Sequence, residues 1–273
     1  MQQRYWGASS QKSFWLWGLV KKKVVLCTSF CDADHINMFL ILLSLALMEK
    51  EHCKICSLRS SAASHLSDKE LSKLESECAQ VHFKKGEIIF KQDALSSNII
   101  YLKTGLAKLH MASKKRDQII KIIKAPDFLR ISTTFADRVN HYSSTAVEDS
   151  IACFIDINSF KDFILKNGEF AYEIIYSLSK GELDNFRRCV NRNQKQTVGR
   201  VADALIYFSE QISYNEEFDF PLSRNDLADL ICTSRESVSR VLSDFDKEQI
   251  IELDNKKIKI KNKRLLEQIG NNG

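Results

Sequence analysis

Residues 222–251 read LSRNDLADLICTSRESVSRVLSDFDKEQII. Ser223 stands before the apolar positions Leu227, Ala228 and Leu230, and its hydroxyl can accept the backbone N–H groups that a helix start leaves unpaired. Ile231, Cys232 and Thr233 fill a short turn. Ser234 then caps a second helix whose apolar face is Val238, Leu242 and Phe245, with Arg235, Glu236, Ser239 and Arg240 outward. Two helices joined by so tight a turn form a helix-turn-helix, in which the second helix enters a major groove.

The outward residues suit base edges. An arginine can donate two hydrogen bonds to guanine O6 and N7, and a carboxylate accepts from the cytosine amino group. A surface meant only for phosphate would avoid Glu236. The competing reading is a solvated face on which Glu236 pairs with Arg240 four residues on.

Downstream, residues 250–253 and 257–260 predict a hairpin across Asp254-Asn255-Lys256, which adds a wing. Helices are expected over 198–212, 224–230 and 235–248. From Thr197 to the C-terminus there are 11 Lys/Arg and 14 Asp/Glu, so nucleic-acid affinity must come from a local patch. Lys256, Lys257, Lys259, Lys261, Lys263 and Arg264 supply one along the wing. The expected DNA contacts are Ser234, Arg235, Glu236, Ser239 and Arg240 on the helix, with Lys256, Lys257 and Lys259 on phosphates.

Toward the N-terminus, LSDKELSKLESEC (66–78) carries a capping box, Ser67 followed by Glu70, with Leu71 and Leu74 on one face. Short β-rich runs follow: VHF (81–83), EIIF (87–90), NIIYL (98–102), GLAKLHM (105–111), QIIKII (118–123), SSTAVE (143–148) and IACFID (151–156). Turns at Lys85-Gly86, Thr104-Gly105 and Ala125-Pro126-Asp127 separate them, which predicts a sandwich or roll of roughly eight strands. Beyond Asn158 the period lengthens. Ala171, Ile174/Ile175, Leu178, Phe186 and Cys189/Val190 mark a long helix, its pattern interrupted near Gly181-Glu182. Its narrow apolar stripe and charged opposite face (Arg187, Arg188, Arg192) suit a dimer seam; packing on its own domain is the alternative.

The order of roll, long helix and winged helix-turn-helix, together with SRESVSR (234–240), resembles the Crp/Fnr superfamily of bacterial transcription regulators over residues 53–269. Arg235, Glu236 and Arg240 match the R-E-x-x-x-R of members similar to the cyclic-AMP receptor protein. Glu236, Ser239 and Arg240 match the E-x-x-S-R of Fnr-like members. The resemblance implies an α+β chain: an N-terminal antiparallel, jelly-roll-like β-roll that senses a signal (48–165), a dimerisation helix (166–196) and a C-terminal winged helix-turn-helix (197–273). It also implies a homodimer on double-stranded DNA, with TGA-like half-sites about 34–36 Å apart, and contact with RNA polymerase.

Cyclic-nucleotide binders of the superfamily use a Gly-Glu for the ribose and an Arg-Ser or Arg-Thr for the phosphate. Arg130-Ile131 and Tyr142-Ser143 stand there instead, which argues against cyclic AMP bound in the usual way. Arg130 and Arg138 lie nearby and are expected as exposed loop arginines, with a different anionic ligand as the alternative. The segment HCKICS (52–57) resembles the one that supplies iron–sulfur ligands in Fnr-like oxygen sensors, and Cys153 falls where those proteins place a distant ligand. Their further cysteine is here Ala62. Cys53, Cys56 and Cys153 are the candidate metal ligands, with Cys78, Cys31 or His52 to complete a shell. An iron–sulfur cluster, a thiol switch, a zinc-holding pair and a metal-free site stay open.

Composition narrows the rest. Two prolines and nine glycines in 273 residues exclude linker-rich and low-complexity architectures, and a net charge of +5 excludes histone-like basicity. Eight cysteines without a secretory signal read as reduced thiols in a cytoplasmic protein. The apolar run Met38 to Met48 is about half the ~20 residues that span a bilayer, so no membrane partner is expected, with a short buried helix or a membrane-surface segment as the alternative for this run. We expect translation to begin at Met38 or Met48, with residues 1–47 absent from the natural protein. No GxxxxGK[ST], GxSxG or HxH occurs, and His82, His110 and His141 are isolated, so an enzyme is not expected. The alternative function is a thiol- or metal-binding signalling protein that keeps the fold without regulating DNA.

Overall fold

Among residues 53–113 and 116–273, which the computed structural model describes, the roll forms β1 (Cys78–Phe83), β2 (Ile88–Phe90), β3 (Asn98–Thr104), β4 (Leu106–Met111), β5 (Gln118–Lys124), β6 (Asp127–Phe128), β7 (Ser143–Ala146) and β8 (Ser150–Asp156); the seven expected runs supply all but β6, which starts at Asp127 of an expected turn. The expectations for residues 1–47 lie outside the described residues. The strands pair antiparallel in two four-stranded sheets, ordered β1-β8-β3-β6 and β2-β7-β4-β5. Gly105 alone joins β3 to β4 at φ 94°. A Cβ there would lie 2.2 Å from Ser150 Oγ, so both the turn and the close approach of β8 require glycine.

Two apolar layers hold the roll. Ile89, Phe90, Ile100, Leu102, Ala107, Leu109, Ile123 and Ala152 fill the space between the sheets. A second layer is covered by α1 (Ser61–Ser64), α2 (Asp68–Ser76), α4 (Ile157–Lys166) and the start of α5 (Gly168–Gln194). Phe160 is its hub, with ring centroids 5.7 Å from Phe128 and 5.2 Å from Phe170. The short helix α3 (Ser132–Ala136) lies between β6 and β7. Helix α2 starts on the expected capping box, with Ser67 N–H donating to Glu70 Oε2 at 2.8 Å. It ends at Ser76, and Cys78 opens β1 instead of extending the helix.

Helix α5 runs 27 residues without a break through Gly181, although the apolar pattern lapses there. Only its first turns are buried, at Phe170 and Ile174. Tyr172, Tyr176, Leu183, Phe186 and Val190 are exposed.

The C-terminal part comprises α6 (Thr197–Tyr207), a π-helical turn (Phe208–Ser213), β9 (Glu217–Asp219), α7 (Arg224–Ile231), α8 (Arg235–Lys247), β10 (Ile251–Asp254), β11 (Lys257–Ile260) and α9 (Lys263–Asn272). The wing gains a third strand, ordered β10-β11-β9. The chain then ends in a helix that the sequence pattern left out. Lys263 and Arg264 therefore sit on α9 and not on the wing, and Lys263 pairs with Glu210 at 2.7 Å. Val201, Leu205, Phe208, Leu227, Val238, Leu242, Ile250, Ile258 and Leu266 are fully buried in one core, which continues into Leu106, Ile119, Ile122 and Val147 of the roll.

Candidate nucleic-acid interface

Each helix of the pair starts on its serine. Ser223 Oγ accepts the Asp226 N–H at 3.0 Å while Asp226 caps back, and Ser234 Oγ accepts the Ser237 N–H at 3.1 Å. Ser234 is thus occupied as a cap. Between the helices Cys232 takes the left-handed conformation, φ 57°, which turns the chain sharply after α7. Val238, Val241, Leu242 and Phe245 bury one face of α8. Arg235, Glu236, Ser239 and Arg240 are exposed on the other.

Glu236 does not pair with Arg240. Its own backbone N–H and the Ser234 side chain hold its carboxyl below the usual range, as expected for an anion at a helix start. Among the described residues Arg240 makes no ion pair. On the wing, β9 changes the charge picture. Its Glu217 takes Lys257 at 2.5 Å and Lys259 at 3.2 Å, and Glu252 takes Lys261 at 3.1 Å. Among the described residues Lys256, at the hairpin tip, has no such partner.

The pair of helices is braced against the roll. Lys108 of β4 reaches Asp226 at 2.5 Å, and Arg116 reaches Asp229 at 3.1 Å and the Thr233 carbonyl. Arg192 of α5 donates to the Ile119 and Leu230 carbonyls at 3.2 Å. No local sequence signal marks these contacts, which join positions up to 118 residues apart.

A cavity of about 640 Å³ lies between the roll and α5, lined by Ile120, Lys121, Asp127, Ile131 and Tyr142 on one side and Ile175, Leu178 and Glu182 on the other. Arg130 is not an exposed loop arginine. It is 4% exposed, donates to Asn140 Oδ1 at 2.6 Å and lies over the Phe90 ring at 4.7 Å. Burial lowers its pKa to about 10. Its charge is spent inside the roll because the local chain turns it toward Asn140. Arg138 is exposed, as expected. Tyr142 donates its hydroxyl to the Leu129 carbonyl at 3.1 Å. Burial pushes the Asp127 carboxyl up and the Lys121 ammonium down.

Residues 80–167 match the family model of the cyclic nucleotide-binding domain, and residues 199–269 match that of the Crp-like helix-turn-helix domain. The two matches together span more than half of the chain. The chain belongs to the Crp/Fnr superfamily. It is a DNA-binding transcription regulator of that type, and its relatives are regulators, not enzymes. The transcriptional activator protein FnrA of Stutzerimonas stutzeri is 22% identical over 80% of this chain and 90% of its own length. The nitrogen fixation regulation protein FixK of Bradyrhizobium diazoefficiens is 25% identical over 71% and 84%. Among solved structures, FixK2 from Bradyrhizobium japonicum is similar with a TM-score of 0.64 at 18% identity, covering 70% of this chain and 96% of that one. The c-di-GMP responsive regulator CLP of Xanthomonas campestris has a TM-score of 0.62 at 14% identity, covering 71% and 99%. Among the described residues no helix is long and apolar enough to cross a membrane.

The Crp/Fnr roll also gathers the thiols. Cys53, Cys56, Cys78 and Cys153 line one cavity of about 50 Å³, with Tyr101 and Lys103 on its wall. The site does not fit the iron–sulfur shell of the Fnr-like members residue for residue. Ala62, at the missing position, is 1% exposed in α1 and offers only a methyl group. Cys78, whose strand position the helix pattern obscured, comes to the group instead.

Proposed function

We propose that this chain regulates transcription as a cytoplasmic homodimer on a palindromic double-stranded DNA site. Arg235, Glu236, Ser239 and Arg240 read base edges, Ser234 positions the helix, and Lys256, Lys257 and Lys259 contact phosphates. In this reading residues 48–165 form the sensor, 166–196 the dimer helix and 197–273 the DNA-binding unit, with contact to RNA polymerase by family analogy. The observation that carries it is the exposed quartet on α8, held by a fully buried opposite face. Lys257 and Lys259 must exchange Glu217 for a phosphate, so their contribution is smaller than that of Lys256.

Exposed Tyr172, Tyr176, Leu183, Phe186 and Val190 repeat on a seven-residue frame, with Tyr172 and Phe186 at one set of positions and Tyr176, Leu183 and Val190 at the other. That is the seam of a two-stranded coiled coil. The sensor cavity supports a signal other than cyclic AMP, because Ile131 and Tyr142 line it and the Arg130 guanidinium is engaged with Asn140.

Sedimentation and fluorescence anisotropy on a palindrome of TGA-like half-sites test the proposal. The parent should sediment as a dimer and prefer the palindrome to a scrambled duplex, and Leu183→Asp should sediment as a monomer with at least about a tenfold loss of affinity. Equal affinity of the parent for both duplexes would refute specific recognition, and a Leu183→Asp dimer would refute the seam.

A further inference from the structure

The thiol cavity brings together three separate parts of the chain: the turn Cys53-Lys54-Ile55-Cys56, the first residue of β1, and β8. In the β1–β8 register Cys78 pairs with Ile155, and Gln80 pairs with Cys153. Cys78 and Cys153 are therefore diagonal neighbours on one face of the sheet. That face lies beneath α1 and α2, where Cys78 is buried with Leu71, Leu74 and Ala63. Cys53, Cys56 and Cys153 line the same small cavity as Cys78. The turn is pinned in place, since the Cys53 N–H donates to Glu75 Oε2 at 3.2 Å and the Tyr101 hydroxyl to the Leu58 carbonyl at 2.8 Å.

We propose that Cys53, Cys56, Cys78 and Cys153 bind a single four-coordinate zinc ion as thiolates, tying the segment before α1 to the outer sheet of the roll. With Zn–S bonds of ~2.3 Å, the sulfurs of a tetrahedral site stand about 3.8 Å apart. Four thiols around one small cavity can reach that spacing by side-chain rotation. A four-iron cluster bonds each cysteine to a different iron and spreads the sulfurs around its core. The cavity is small, about 50 Å³, in keeping with a single ion. The pair Cys53 and Cys56 has the C-x-x-C spacing of half a zinc site. Four thiolates on a dication leave a net charge of −2, and Lys103, 6% exposed, and Arg59 stand on the cavity wall to offset it. Among the described residues no three such donors yet share one centre. The strand cysteines are set by register, so closure falls to side-chain rotation in the turn, and the thiol protons pass to solvent as the metal binds. This inference stands apart from the DNA reading and survives its failure.

The test is metal analysis of the full chain, expressed with iron and zinc both supplied and purified without air or chelators. The expected result is one zinc per chain and no acid-labile sulfide. Exchange with Co²⁺ should give the strong sulfur-to-cobalt charge-transfer and visible bands of a tetrahedral tetrathiolate site. Cys78→Ser and Cys153→Ser should each lose stoichiometric metal. Cys56→Ser, at a half-buried rim position where packing survives, should lose it too, which keeps the test decisive if Cys78→Ser fails to fold. Iron with matching sulfide would overturn the mononuclear site. So would a metal-free chain, or one isolated with a Cys78–Cys153 disulfide. A Cys78→Ser protein with the parent's zinc content and cobalt spectrum would remove Cys78 from the site.

Discussion

Replacing Arg240 by alanine removes an exposed side chain that makes no ion pair among the described residues, next to buried Val241 and Leu242 that hold the helix in place. Folding stability should move by less than about 0.5 kcal/mol, since no packing is lost. DNA affinity should move much more. A two-pronged contact to guanine is worth about 1–3 kcal/mol, or about 5- to 150-fold in affinity. A symmetric dimer loses it twice, about 2–6 kcal/mol in all if the half-sites act independently. The loss is truncated where binding reaches the non-specific level, ~10³- to 10⁷-fold below the specific one. The assay is competition anisotropy with palindromes permuted at one base pair per half-site, repeated between about 50 and 200 mM salt. If Arg240 reads a base, the variant loses discrimination at that one pair and keeps the parent's salt dependence. If it touches phosphate, affinity falls on every sequence and the slope of log K against log salt drops by about 0.9 per contact. Parental affinity for all of these duplexes would refute the assignment of α8 as the reading helix.

Cys232→Gly should stabilise the helix pair by about 0.5–1 kcal/mol, because the left-handed backbone penalises a side chain more than the added freedom of the unfolded glycine costs; a lower melting temperature would refute this. Asp127→Asn should raise the melting temperature near neutrality. Burial raises the native pKa of Asp127, so the parent gains stability as pH falls through that raised value, and the uncharged variant does not. The difference between the two proteins should therefore shrink on acidification. A constant difference across the titration would remove the buried charge as its cause.

The helix pair was legible because its signals are local. Ser223 and Ser234 cap helices a few residues away, and the apolar spacing of Leu227, Val238, Leu242 and Phe245 fixes which faces are buried. All strands of the roll but the two-residue β6 were legible for the same reason, down to the turns at Gly86 and Gly105. What stayed hidden depended on partners far along the chain. The three residues of β9 alternate polar, apolar, polar, but so short a run predicts little, and they become a strand where β11 lies beside them. Cys78 follows a convincing helix pattern, yet pairing with β8 draws it into a strand. Arg130 has the type of an exposed loop residue, and only Asn140 and Phe90 explain its burial. The lysines of the wing looked available until Glu217 arrived across the sheet.

The same dependence on distant partners gives the proposed sensor a mechanical route to the DNA-binding helices through β5. In the pairing with β4, Leu109 faces Lys121 while His110 faces Ile119, so Ile120 is an extra residue in a bulge. The bulge shifts the side-chain alternation by one. Ile120, Lys121 and Ile123 therefore line the cavity against α5, and Ile119 and Ile122 enter the core of the helix-turn-helix on the other face. The strand's edges are tied to the same unit, for the Gln118 amide donates to the Asp229 carbonyl and the Tyr207 hydroxyl to the Ile122 carbonyl. A ligand that displaces Ile120 and Lys121 must move a strand on which α7 rests. Without the bulge, Ile119 and Ile122 would point to opposite faces and the strand could not serve both surfaces. The coupling can be no larger than the ligand's preference for one strand position over the other. Deleting Ile120 should therefore uncouple ligand binding from DNA affinity, even in a protein that still folds and still binds DNA.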